Sequence, residues 1–167
     1  MRLSVTIVAS LVVSAAPLCA HAEDCGRDAF AIVVGKAGAE LTSMNDANKK
    51  NFHEKLQLLK TRKGWTDADY VAQATPFIRD ERIAALDADN AALLAKIPQL
   101  GSAAQTTQAL ASMGQSMGGQ PDGRCAMLDE LRGLMAKVVV NTQAKWSYMF
   151  GKIDGALNDA RQSDAAR

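Results

Sequence analysis

The sequence predicts an all-α fold: an antiparallel helical bundle of three long helices plus a short one, stapled by one disulfide. Three observations carry this. Apolar side chains recur at steps of three and four through most of the chain, and no segment shows the sustained alternation of a half-buried strand. Cys25 and Cys125 each stand close to a predicted helix start. With 167 residues, 48% hydrophobic and 22% charged, the chain is long enough and apolar enough for one folded core.

Residues 1–22 read as a secretory signal and are set apart from the fold. Arg2 supplies a basic start, Val5 to Ala16 an apolar run, Pro17 a break, and Ala20-His21-Ala22 a small-x-small end before Glu23. That run is about 12 residues, short of the roughly 20 that span a bilayer. Cleavage is expected after Ala22, leaving one helical domain over residues 23–167. Pro17 and Leu18 stand where a lipid-anchored Cys19 would need small residues. Removing Arg2 brings the 19 basic side chains level with the 18 acidic ones. A nucleic-acid binder needs a basic excess or stripe, so no nucleic-acid partner is expected. Leu134 to Val140, the longest later apolar stretch, is interrupted by Lys137, so no membrane span is expected either. The predicted location is the periplasm or the secreted fraction.

Export leaves Cys25 and Cys125 in a compartment that permits disulfides, and two cysteines admit one pairing. A redox or metal pair would want close spacing such as Cys-x-x-Cys, which is absent.

The first helix is predicted from about Arg27 to Arg62, with Phe30, Val33, Ala37, Leu41, Met44, Phe52, Leu56 and Leu59 as its apolar stripe. Thr42-Ser43-Met44-Asn45-Asp46 carries short polar side chains that compete for backbone hydrogen bonds, so a kink or break is expected there. Lys60, Arg62 and Lys63 suit the negative pole of the helix, and Gly64 ends it. The second long helix starts at a Thr66 cap with Asp67 and Asp69 in its first turn. Pro76 predicts a kink or a restart within it, and Pro98 with Gly101 is expected to close it. A short helix is predicted over Ser102 to Gln115, and Met117 to Gly123 is the most loop-like stretch.

The last helix is predicted from Asp122 over about 35 residues. Leu128, Leu131, Met135, Val138, Thr142, Trp146, Met149, Ile153 and Leu157 line its apolar face; Asn141, Lys145, Tyr148, Lys152 and Asp159 are assigned to a solvated one. If the first helix runs up, the second down and the last up, Cys25 and Cys125 meet at one end of the bundle.

Catalytic motifs are sparse. Asp87 and Asp89 point about 200° apart on a helix and cannot share a substrate. Asp67 and Asp69 are explained as helix-start charges. No phosphate-binding glycine loop and no EF-hand pattern is present. His53 is the one histidine of the mature chain, too few for a zinc site of the usual kind. Paired with Met44, Met113, Met117 or Met149, it could ligate a haem between helices. Met113 and Met117, four residues apart, are the weak candidate for soft metal. The alternative reading is a solvent-facing histidine and methionines that fill the core. No cofactor is therefore expected.

The last helix carries the candidate interface: Gly133, Val140, Ala144, Gly151 and Gly155 share a flank, with Tyr148 nearby. Either a partner docks there, on Tyr148, Gly151 and Gly155, or another helix of the bundle fills it. The functional expectation is an exported, non-enzymatic helical protein that binds another envelope protein, of inhibitor, immunity, secretion-accessory or chaperone type; a homodimer is compatible with it. The alternative is a small-molecule, haem or metal carrier that uses the bundle interior.

Overall fold

The computed structural model describes residues 25–102 and 122–166. The signal segment, most of the short helix, Met113 and Met117 lie outside these residues. The described residues form an all-α, bundle-like packing with no strand. Its helices are α1 (Arg27–Lys63), α2 (Asp67–Ile78), α3 (Glu81–Leu94) and α4 (Asp122–Ala165), with helical backbone also over residues 97–102. At 1.5 Å per residue, α1 is about 55 Å long and α4 about 66 Å.

α4 is the spine: α1 and α3 pack along it, and α2 touches it lightly. Contacts between α1 and α4 keep a constant sequence separation: 100 at Cys25 and Cys125, 101 at Asn45 and Trp146, 99 at Lys55 and Asp154. A constant separation means that the two helices run parallel and in register. Contacts between α3 and α4 shrink in separation from 72 at Asp80 and Lys152 to 58 at Asp87 and Lys145 and 52 at Asn90 and Thr142. That pair is antiparallel, so the order up, down, up holds. The two cysteines meet at the lower end, with Cα atoms 5.1 Å apart.

The element ends follow local chemistry. Gly64 adopts φ 65°, the left-handed conformation a glycine tolerates, and so caps α1; its N–H reaches Thr61 O while that of Trp65 reaches Lys60 O. Thr66 caps α2 by accepting from the Asp69 N–H, and Asp80 caps α3 by accepting from the Ile83 N–H. Pro76 lies in the last turns of α2, which stops at Ile78 before the chain restarts at Glu81.

Three expectations about elements are corrected. α1 runs unbroken through Thr42–Asp46, because Asn45 turns its side chain outward and accepts from Trp146 Nε1 at 2.8 Å instead of competing with the backbone. Pro98 does not close a helix: α3 ends at Leu94, and Pro98 enters the first turn of the next helical segment, where its missing N–H costs no bond. The last helix is 44 residues long, well beyond the predicted 35, because the apolar step continues through Leu157 to Ala160, both buried.

The core is divided in two. The upper cluster joins Phe52, Leu56 and Leu59 of α1 to Ala74, Ile83, Met149, Ile153 and Leu157. The lower one joins Ala37 to Leu131 and Met135, with Phe30, Val33, Ile97 and Leu100 around it. Between them sits a polar waist. Thr142, buried, donates to Val138 O at 2.8 Å and accepts from Asn90 Nδ2 at 3.2 Å.

Candidate functional site

Tyr148, the tyrosine of the predicted interface, is taken up within the fold. Its hydroxyl donates to Asp80 Oδ2 at 2.8 Å, its ring packs against the upper core, and the Arg82 guanidinium lies over the ring, 4.6 Å from the centroid. Lys152 donates to the same Asp80 oxygen at 2.6 Å and to Pro76 O. Lys145 pairs with Asp87 at 2.6 Å. The face of α4 assigned to solvent is thus largely the face that receives α3. A charged side chain with a long apolar stem can pack through the stem while its head meets a carboxylate.

These contacts shift two protonation equilibria. The Lys152 hydrogen bond, aided by the Ile83 N–H and the Tyr148 hydroxyl, holds the Asp80 carboxyl down at about 2. The bond to Asp80 pushes the Tyr148 phenol above its ordinary value. A phenol held protonated is a poor base or nucleophile. The cluster does mechanical work: it fastens the α2–α3 corner to the spine.

Gly151 and Gly155 are exposed on α4, three and seven residues on from Tyr148 and so on the same side of the helix. A Cβ placed on either would have no neighbouring atom within 4 Å, so no described helix fills that flank. Tyr148 is thus engaged by α3, while the two glycines beside it on the helix stay bare.

Two recesses open among the described residues. The outer groove, of about 560 Å³, runs between the lower halves of α1 and α4. Its walls include Val33, Ala37, Met135, Ala136 and Val139, and its rim carries Lys36, Glu40 and Arg132. Ile32 on α1 and Val140 on α4, about two turns apart along the groove, both line it with 68% and 60% of their surface exposed. The sequence held a signal for this groove: Ile32 falls off the α1 stripe, and Val138-Val139-Val140 supplies more apolar residues than one helix face can bury.

The second recess is a cleft of about 490 Å³, where α1 and the α2–α3 corner stand apart above α4. Phe52, Leu56 and Met149 form its buried floor, and Trp146 and Ile78 stand beside them. Asp46, Lys49, Lys50 and His53 of α1 line its rim. His53 and Met149, two of the residues considered as haem ligands, thus border one cleft. Among the described residues no group of three or more His, Cys, Asp or Glu is arranged to hold a metal ion, and no helix is long and apolar enough to cross a membrane.

No protein-family model matches the chain, and neither the curated proteins nor the solved structures contain a match to it.

Proposed function

We propose that this chain is an exported, non-catalytic helical protein that binds another envelope protein through the outer groove of α1 and α4. The observation that carries the reading is the pair Ile32 and Val140, two large apolar side chains left mostly exposed on either side of an apolar trough. Such contiguous exposure on a folded surface is the mark of an interaction site. A groove between two parallel helices suits a third helix laid along it with its apolar ridge inward. Lys36, Glu40 and Arg132 on the rim offer charged groups to the polar flanks of such a helix. The secretory signal at residues 1–22 and the disulfide support export, and the level charge balance supports a protein partner over nucleic acid.

The test is a photo-crosslinking residue at position 140, with a control at position 69 on the exposed side of α2, both in oxidised protein in its export compartment. An adduct formed from position 140 alone, and lost with Ile32→Asp, is expected. Equal adducts from both positions, or adducts indifferent to Ile32→Asp, refute the groove. An adduct of twice the chain's mass replaces the envelope partner with a second copy.

A further inference from the structure

We infer that the cleft above α4 binds a single-chain amphiphile with an anionic head, of the fatty-acid class. This does not rest on the protein-binding reading, since the cleft and the outer groove share no lining residue.

The floor dictates the apolar half of the ligand. Phe52, Leu56 and Met149 are buried hydrophobes, and the one polar group among the floor and wall residues, the Trp146 indole N–H, already donates to Asn45 Oδ1 at 2.8 Å. Phe52 and Trp146 meet edge to face, with ring centroids 6.1 Å apart, so they present a fixed aromatic wall. The floor therefore offers hydrocarbon contact and no free hydrogen bond. Burying polar ligand atoms there would cost their hydration without replacement.

The rim dictates the other half. All its polar groups stand on α1, while the opposite wall contributes the apolar Ile78. Lys55, Lys60, Lys145 and Lys152 each reach a carboxylate, on Asp154, Asp67, Asp87 and Asp80. Lys49 and Lys50 pair with no carboxylate among the described residues. Asp46 offsets one of them, so the rim keeps a net positive charge beside hydrocarbon. A ligand that is apolar along its length and anionic at one end satisfies both halves. The volume lies in the range of about 300–1,000 Å³ found for small-molecule sites.

The experiment uses the full, oxidised chain and dodecanoate below its micellar concentration, read by titration calorimetry and by quenching with a bromine-labelled dodecanoate. Trp65 packs on Phe77 at the top of the bundle, so Trp65→Phe leaves Trp146 as the sole fluorescent reporter at the cleft. Saturable binding with quenching of Trp146 is expected, along with weaker affinity for dodecanol and about tenfold weaker binding by Lys49→Glu/Lys50→Glu. Both substituted lysines are exposed, and an unchanged melting temperature will show that the fold is kept. Equal affinity for dodecanol, no effect of the lysine substitutions, or no saturable heat with the unmodified chain overturns the inference. Phosphatidylglycerol vesicles distinguish the source of the ligand: dodecanoate binding without co-flotation identifies the free amphiphile, and dodecanoate binding with flotation identifies a chain presented by lipid. Flotation without dodecanoate binding overturns the site.

Discussion

Breaking the Cys25–Cys125 bridge should remove a large part of this protein's stability. The cysteines are 100 residues apart, so the cross-link closes most of the described chain into a loop. In the chain-entropy relation a loop of that length stabilises the fold by about 4.7 kcal/mol at 25 °C. Single domains are stable by about 5–15 kcal/mol, so the loss is a third or more of the total. At roughly 2–4 °C per kcal/mol for a chain of this size, Cys25→Ser/Cys125→Ser should melt roughly 10–20 °C below the oxidised protein. The damage has an address, because the bridge ties the ends of α1 and α4 beside the lower cluster of Ala37, Leu131 and Met135. Calorimetric melts of the double variant, and of the unsubstituted protein with and without reductant, measure the shift; hydrogen exchange over Phe30 to Ala37 locates it. The reduced protein and the double variant should coincide. If both melt within about 2 °C of the oxidised protein, the loop-closure reasoning fails.

Four further outcomes follow from named residues. Asp80 titrates at about 2 in the fold against an ordinary 3.8, so its stabilisation is complete above that ordinary value and is lost as pH falls through about 2; Asp80→Asn should flatten acid unfolding across that window, and a denaturation curve unchanged between pH 4 and pH 2 would contradict the clamp. Tyr148 has the opposite sign, its phenol being raised, so its contribution holds below pH 10 and is lost above it, and Tyr148→Phe should remove that alkaline component from a stability–pH series. Gly151→Ala and Gly155→Ala place a methyl group in open space on an exposed helix and should each stabilise by about 0.5–1 kcal/mol in urea melts; a loss of stability would show that a neighbour needs that flank bare. Asn90 Oδ1 is buried with no hydrogen-bond partner, and Thr142 cannot donate to it because its hydroxyl already donates to Val138 O. Thr142→Val alone should then cost about 1–3 kcal/mol, while Asn90→Leu/Thr142→Val should recover most of it; equal losses from the single and double variants would refute the waist as described.

The fold was legible where one side-chain stripe meets one core. Leu128, Leu131, Met135, Val138, Thr142, Met149, Ile153 and Leu157 recur at helical spacing and are all buried, and Gly64 and Thr66 announce the α1–α2 corner through the backbone chemistry they perform. What escaped was packing that uses polar side chains. Periodicity assigns Lys145, Tyr148 and Lys152 to water, because their partners Asp87 and Asp80 lie about 60–70 residues away and no local pattern points to them. The same blindness produced the expected break in α1: Asn45 looks like a helix breaker until Trp146 arrives to occupy it. The candidate interface was half legible. Gly151 and Gly155 do lie bare, but the sequence could not show that the Tyr148 hydroxyl is taken up by Asp80, nor that Lys49 and Lys50 are left beside a hydrophobic floor.

The parallel pairing of α1 with α4 carries a burden that begins before the protein is finished. A helix whose neighbour follows it in sequence can bury its apolar face at once, but α1 must wait for the last helix of the chain. As the polypeptide emerges amino end first, Phe52, Leu56 and Leu59 have only residues of the α2–α3 corner such as Ala74 and Ile83 against them until Met149 and Ile153 arrive, about 100 residues later. Contacts so distant along the chain make for slow folding. During that interval the exposed stripe of α1 is open to any other apolar surface nearby. A premature stop just before Met149 would leave a chain with most of its helices and half a core, fit for aggregation or proteolysis. The carboxy-terminal turns of α4 therefore act as the lock on a structure whose first helix was made long before.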